Sequence, residues 1–267
     1  TDAVSVTTGG SFNAAFANGA TITNAAAADA KAVTYAMGLS NVDTTIALTS
    51  GGVLNAASEN LSVTTGSGED TITVAAASFT GRTGAASSQI IINTAAGNDT
   101  ITFSHGTLAS DNTSGGIAID AGTGKDTITK SAGVNDGTNT AFGNTAYTVQ
   151  DGDSLAASYD EITGFGLGTA ALIADTLNFD GTGIAGNTAG TDGTDSGTLK
   201  SHAIASGIIT FDDQDSFGTA VTINSANLAD ALAYVASNIS TASDTVAFVY
   251  DSTNSGTANG TFVFQQG

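Results

Sequence analysis

A nine-residue stretch that returns at near-constant spacing constrains this chain more than any other feature. Thr65-Gly66-Ser67-Gly68-Glu69-Asp70-Thr71-Ile72-Thr73 recurs as Thr94-Ala95-Ala96-Gly97-Asn98-Asp99-Thr100-Ile101-Thr102, and again as Ala121-Gly122-Thr123-Gly124-Lys125-Asp126-Thr127-Ile128-Thr129. A β-prone apolar run precedes each copy: Leu61 and Val63, then Ile90 to Ile92, then Ile117 and Ile119. The unit therefore reads as strand, Gly-rich turn, Asp, strand. Asp70 to Asp99 spans 29 residues and Asp99 to Asp126 spans 27, and a weaker copy places Asp43 a further 27 before Asp70. A unit of this size cannot bury an apolar face alone, and stacking on its neighbours solves that problem. The expected fold is mainly β: a parallel β-solenoid or β-roll-like array over 41–180, with Ile72, Ile101 and Ile128 in one interior ladder.

The rest of the chain divides around that array. Residues 1–40 are expected to cap it or to continue a longer chain, with Ala25 to Ala32 as a short helix capped at Asn24. Residues 181–200, rich in Gly, Thr and Asp, read as a flexible linker, with Ca²⁺ binding by Asp192 and Asp195 as the lesser alternative. Residues 201–267 read as a small α+β unit. Ile204 to Phe211 is its first strand, and Asp212-Asp213-Gln214-Asp215 is an acidic turn. A helix runs over Ala226–Ile239 from a cap at Asn224 or Ser225, with Leu228, Leu232, Val235 and Ile239 on one face. A hairpin of Asp244–Tyr250 and Thr261–Phe264 closes the unit through Asn254-Ser255-Gly256 and Asn259-Gly260.

Composition narrows the function. Lys and Arg number 5 against 25 Asp and Glu, for a net charge of −20. Nucleic acid, which is bound through basic patches, is an unsuitable partner. With no Cys there is neither a disulfide framework nor a thiolate metal site. No apolar run approaches the ~20 residues that span a bilayer as a helix. The enzyme motifs H-E-x-x-H, G-x-S-x-G and the P-loop do not occur, and His105 and His202 stand without a partner in sequence.

The repeated stretch resembles the glycine-rich nonapeptide G-G-x-G-x-D-x-U-x of repeats-in-toxin (RTX) proteins, where U is a large apolar residue. Tyr159-Asp160-Glu161-Ile162-Thr163-Gly164-Phe165 followed by Asp175-Thr176-Leu177-Asn178-Phe179 resembles the pattern that closes such rolls in type I-secreted proteins. The first resemblance implies Ca²⁺ between successive turns, held by Asp70, Asp99 and Asp126 with the carbonyls of Gly66, Gly68, Gly97, Gly122 and Gly124. The chain departs from the motif: Thr65, Thr94 and Ala121 replace the first Gly, and Ala95 replaces the second Gly of its copy. Together the resemblances imply an extracellular, non-enzymatic structural protein of the bacterial cell surface, self-assembling with Ca²⁺ as in a surface-layer (S-layer) protein. Its partners would be copies of itself and cell-surface polysaccharide. An adhesin segment or a secretion-competent C-terminal module is the alternative, and a polysaccharide-acting β-helix is a third reading. The chain reads as an internal piece of an exported protein whose secretion signal lies at 201–267 or beyond.

Overall fold

The computed structural model describes residues 2–6, 12–15, 20–24, 32–36, 43–48, 60–74, 90–104, 117–131, 145–167, 175–179 and 183–267. Residues 25–31 of the expected short helix, and His105, lie outside them. The chain forms two compact units, Thr1–Asn178 and Phe179–Gly267.

In the first unit the chain alternates between two seven-stranded parallel sheets. Strands β1 (Asp2–Val6), β3 (Ala20–Asn24), β5 (Thr45–Leu48), β7 (Thr71–Val74), β9 (Thr100–Ser104), β11 (Thr127–Ser131) and β13 (Glu161–Thr163) form one sheet in chain order. Strands β2 (Phe12–Ala15), β4 (Ala32–Ala36), β6 (Asn60–Thr64), β8 (Ile90–Asn93), β10 (Ile117–Asp120), β12 (Thr145–Val149) and β14 (Thr176–Phe179) form the other. Each strand pairs with the next but one in sequence, an order consistent with a β-solenoid. The described residues of the first 40 belong to the same two sheets, since β1 to β4 pair there. The sequence around these strands lacks the Gly-Asp signature, which is why they do not read as repeats.

Register follows from alternation. Ile46, Ile72, Ile101, Ile128 and Ile162 stack directly upon one another. Ile46, Ile72, Ile101 and Ile128 are buried, while Thr71, Thr100 and Thr127 pair on the opposite face. Val63, Ile92, Ile119 and Tyr147 make the matching ladder on the facing sheet. A one-residue slip would turn either set to solvent, so the pattern pins the register. It also corrects one alignment. Thr44, not Asp43, stacks on Asp70, because the chain has one more residue between Asp43 and Ile46 than between Asp70 and Ile72.

A buried ion pair joins β11 to the residue before β14. Lys130 lies on the inward side of β11, and its Nζ donates to both oxygens of Asp175 at 2.7 and 2.8 Å. Asp175 also accepts the amides of Thr145 and Gly166. Phe165 lays its ring 5.8 Å from that of Tyr147.

Among its described residues the second unit has one sheet and one helix. It comprises β15 (Gly183–Ile184), β16 (Thr188–Ser196), β17 (Leu199–Ala205), β18 (Ile208–Asp212), α1 (Leu228–Asn238), β19 (Asp244–Tyr250) and β20 (Gly260–Gln265). Ala231, Tyr234 and Val235 of α1 pack in a core with Ile204, Ile209, Phe211, Val246 and Phe248. The hairpin β19–β20 forms as its turn residues require. Two sequence readings are corrected. The span 181–200 is not a linker but holds β15 and β16; β16 buries no large side chain, so apolar alternation could not reveal it. Ile204–Phe211 is not one strand but two, broken at Ser206 and Gly207, whose φ of 52° and 77° suit a two-residue hairpin. The helix also begins later than its expected cap, at Leu228. Asn224 instead closes an Asx-type turn by accepting the Ala226 amide.

Candidate metal centre

The three repeated turns stack edge to edge, between the strands of the two parallel sheets. Stacking puts the backbones in direct contact. The amides of Ala96, Gly97 and Thr123 donate to the carbonyls of Gly66, Thr123 and Ala95 on adjacent turns. A Cβ on Gly97 would fall 2.0 Å from the Gly68 oxygen, and one on Gly124 would fall 1.6 Å from the Gly97 oxygen. The glycines are thus needed for contact between coils as well as for their φ of 136° and 146°. Ala95 departs from the pattern with φ 63°, in the place where the next turn has Gly122 with φ 75°.

The aspartates form a directional chain. Asp70 Oδ1 accepts the Thr44 amide at 2.7 Å, Asp99 Oδ1 accepts the Asp70 amide at 2.7 Å, and Asp126 Oδ1 accepts the Asp99 amide at 2.7 Å. Asp160 continues the series by accepting the Asp126 amide at 2.9 Å. Each carboxylate therefore caps the turn of the coil before it. Asp160-Glu161-Ile162-Thr163 shares the spacing of the three D-T-I-T segments, the signal by which this fourth member could have been found in the sequence.

One oxygen per aspartate is left over. Asp70, Asp99 and Asp126 are at most 1% exposed, and the Oδ2 atom of each is buried without a hydrogen-bond partner. Thr65, Thr94 and Ala121, where the RTX motif has its first Gly, are buried side chains. The Thr65 hydroxyl bears on Asp70 and the Thr94 hydroxyl on Asp99, each lowering that carboxyl against the effect of burial, and Thr94 Oγ1 also donates to the Ala121 carbonyl. Burial is the main cause that pushes these carboxyls up, Asp99 to about 6, Asp126 to about 7 and Asp160 to about 6; for Asp126, the charges of Asp160, Asp99 and Asp153 add to it. Asp70 is raised for the same first reason. A buried carboxylate oxygen without a donor costs free energy, and either a proton or a cation relieves that cost. The residues supply oxygen donors only, the chemistry that a hard cation takes. In that arrangement Asp70, Asp99 and Asp126 would supply Oδ2, and the turns of Gly66, Gly68, Gly97, Gly122 and Gly124 would supply backbone oxygen.

The other candidate groups are bound up within the second unit. The Asp212 carboxylate accepts the amides of Gln214, Gly218 and Thr219, so it shapes its own loop. His202 is buried, and burial lowers its basicity. Its Nδ1 is 3.0 Å from Tyr234 Oη, which donates to the Lys200 carbonyl, so His202 carries its proton on Nδ1. That places His202 in a core contact. No family model, curated protein or solved structure matches the chain.

Proposed function

We propose that the protein is a Ca²⁺-stabilised structural segment of a bacterial cell-surface protein, self-assembling in the manner of an S-layer. The observation that carries this reading is the column of buried, unpartnered Oδ2 atoms on Asp70, Asp99 and Asp126, repeated once per coil beside Gly-rich backbone. A column of this kind is a scaffold feature: it sets the stability of an array coil by coil. The net charge of −20 adds the second support, because divalent cations neutralise repulsion between like copies. Polysaccharide of the cell surface is the proposed attachment partner.

The test is electron microscopy and light scattering of the protein with millimolar Ca²⁺ and with chelator, joined to thermal melting in both. Ordered sheets and a higher melting temperature with Ca²⁺ are expected. A monomer that melts at one temperature in both conditions sinks the reading. Binding to the folded state alone adds about 2.7 kcal/mol at a hundredfold excess over Kd.

A further inference from the structure

The sheet of the second unit has two long edges, and the sequence treats them differently. β16 forms one. It carries Asp192 and Asp195, and its ladder to β17 is irregular. The side chain of Asn238 on α1 also takes both backbone groups of Thr194, at 2.7 Å from the amide and 3.1 Å from the carbonyl. Charge, irregularity and cover are the usual means of closing an edge to another strand. β20 forms the other edge and has none of them. Among the described residues it pairs with β19 alone, in unbroken register from Thr245–Gln265 to Tyr250–Gly260. Residues 252–267 hold no charged side chain and no Pro, in a chain of net charge −20.

Backbone alternation fixes which groups lie open. The Gln266 amide donates to the Asp244 carbonyl, and in an antiparallel pair every second position bonds to the partner strand. Gly260, Phe262 and Phe264 therefore bond to β19, while the amides and carbonyls of Thr261, Val263 and Gln265 point away from it. The side chains add an apolar element. Phe262 and Phe264 turn to the helix side of the sheet, where each is only partly buried against the core. Phe262 stacks on Phe248 with ring centroids 5.4 Å apart. Val263 turns to the other side and is 38% exposed.

We propose that β20 pairs antiparallel with β20 of a second copy of this chain, about a twofold axis at Val263. That register sets Val263 opposite itself and Thr261 opposite Gln265, so all three outward positions exchange hydrogen bonds. It also sets Phe262 opposite Phe264 twice, in the closer, non-bonded positions, and each half-buried ring gains an aromatic neighbour. A shift of two residues either way loses one bonded pair and the match of rings. Charge selects this occupant. A strand without charge brings no like charges together when it meets itself, whereas pairing β16 with a second β16 would oppose acids. The contact rests on the self-assembly proposed above and names a surface for it, but it needs no Ca²⁺.

The test is the solution mass of the full chain by analytical ultracentrifugation in chelator, over a concentration series. The parent is expected to reach twice the monomer mass. Val263→Lys and Val263→Glu are each expected to stay monomeric with unchanged circular dichroism. An equimolar mixture of the two is expected to dimerise again, because position 263 faces itself across the axis. Ile208→Lys, two strands away on the same exposed face, is expected to leave the dimer intact. The chain has no Cys, so Val263→Cys alone is expected to give a disulfide-linked dimer on mild oxidation, and Val249→Cys, one strand further in, to give none. A monomeric parent, a mixture that stays monomeric, or no linked dimer from Val263→Cys overturns the pairing. So does loss of the dimer in Ile208→Lys, which would mark packing between exposed faces instead. A dimer in chelator whose melting ignores Ca²⁺ keeps this contact and removes the calcium reading, and a monomer whose melting rises with Ca²⁺ does the reverse.

Discussion

Each ladder aspartate performs two tasks with two oxygens, and substitutions separate them. Asp99→Asn keeps an oxygen to accept the Asp70 amide but removes the charge. Asp99→Ala removes both and leaves that amide buried without an acceptor, at a cost of about 1–3 kcal/mol. In chelator, denaturant titration should find Asn close to the parent and Ala well below it. In Ca²⁺ the two should be equally deaf to the ion. Ala95 offers the reverse experiment. It holds φ 63° where Gly122 serves the next turn, and a left-handed alanine costs roughly 1–2 kcal/mol against a part-cancelling flexibility cost for glycine. Ala95→Gly is expected to raise stability by about 0.5–1 kcal/mol, read as a shifted denaturation midpoint at unchanged slope.

At the scale of elements, the buried pair Lys130–Asp175 joins β11 to the start of β14. Lys130→Met would leave Asp175 buried, charged and short of its main partner, at a cost of about 3–5 kcal/mol. The last coil should open first, which hydrogen exchange at Thr145 and Gly166 would report, since their amides bond to Asp175. What the sequence disclosed at this scale follows from what repeats in it. The Ile and Asp positions recur, so the three Gly-Asp coils and their interior ladder were legible. β1 to β4 lie where the sequence has no Gly-Asp repeat and were not. β16 is built of Thr, Gly, Ala, Asp and Ser, and its pairing with β17 comes from backbone bonds that leave no apolar pattern to read. The site was half legible. D-T-I-T marked the carboxylates that stack from coil to coil, but that each caps the coil before it emerges only when coils are stacked.

For the whole molecule, the two units should answer pH in opposite senses. Asp70, Asp99, Asp126 and Asp160 have raised folded values, so protonation favours the folded solenoid. That contribution is fully present below the ordinary aspartate value and is lost as pH rises through about 6 and 7. Asp212 is lowered, first by the Gly218 amide, and Asp251 is lowered because its loop hydrogen bonds outweigh burial. Their contribution is present above the ordinary aspartate value and is lost as pH falls below it. In chelator, calorimetry should show the transition of residues 1–178 moving down between pH 5 and 8, while that of residues 179–267 moves down below pH 4. Ca²⁺ at pH 8 should restore the first. A single transition with one pH response would contradict this division.

The ladder also has a direction in time. The amides of Asp70, Asp99 and Asp126 each wait for a carboxylate that lies 27 to 34 residues further along the chain. A chain made only as far as one coil therefore always ends in a turn with a donor unmet. Nothing inside a repeated coil can stop that series, because each coil presents the same need to the next. Asp160 ends it: its amide bonds to the Ser154 hydroxyl at 2.8 Å, six residues back within its own wide turn. Whole coils can accordingly be inserted or lost between Thr44 and Asp160 with every donor still met, whereas a chain that stops short of Asp160 leaves its frontier open to whatever acceptor comes by.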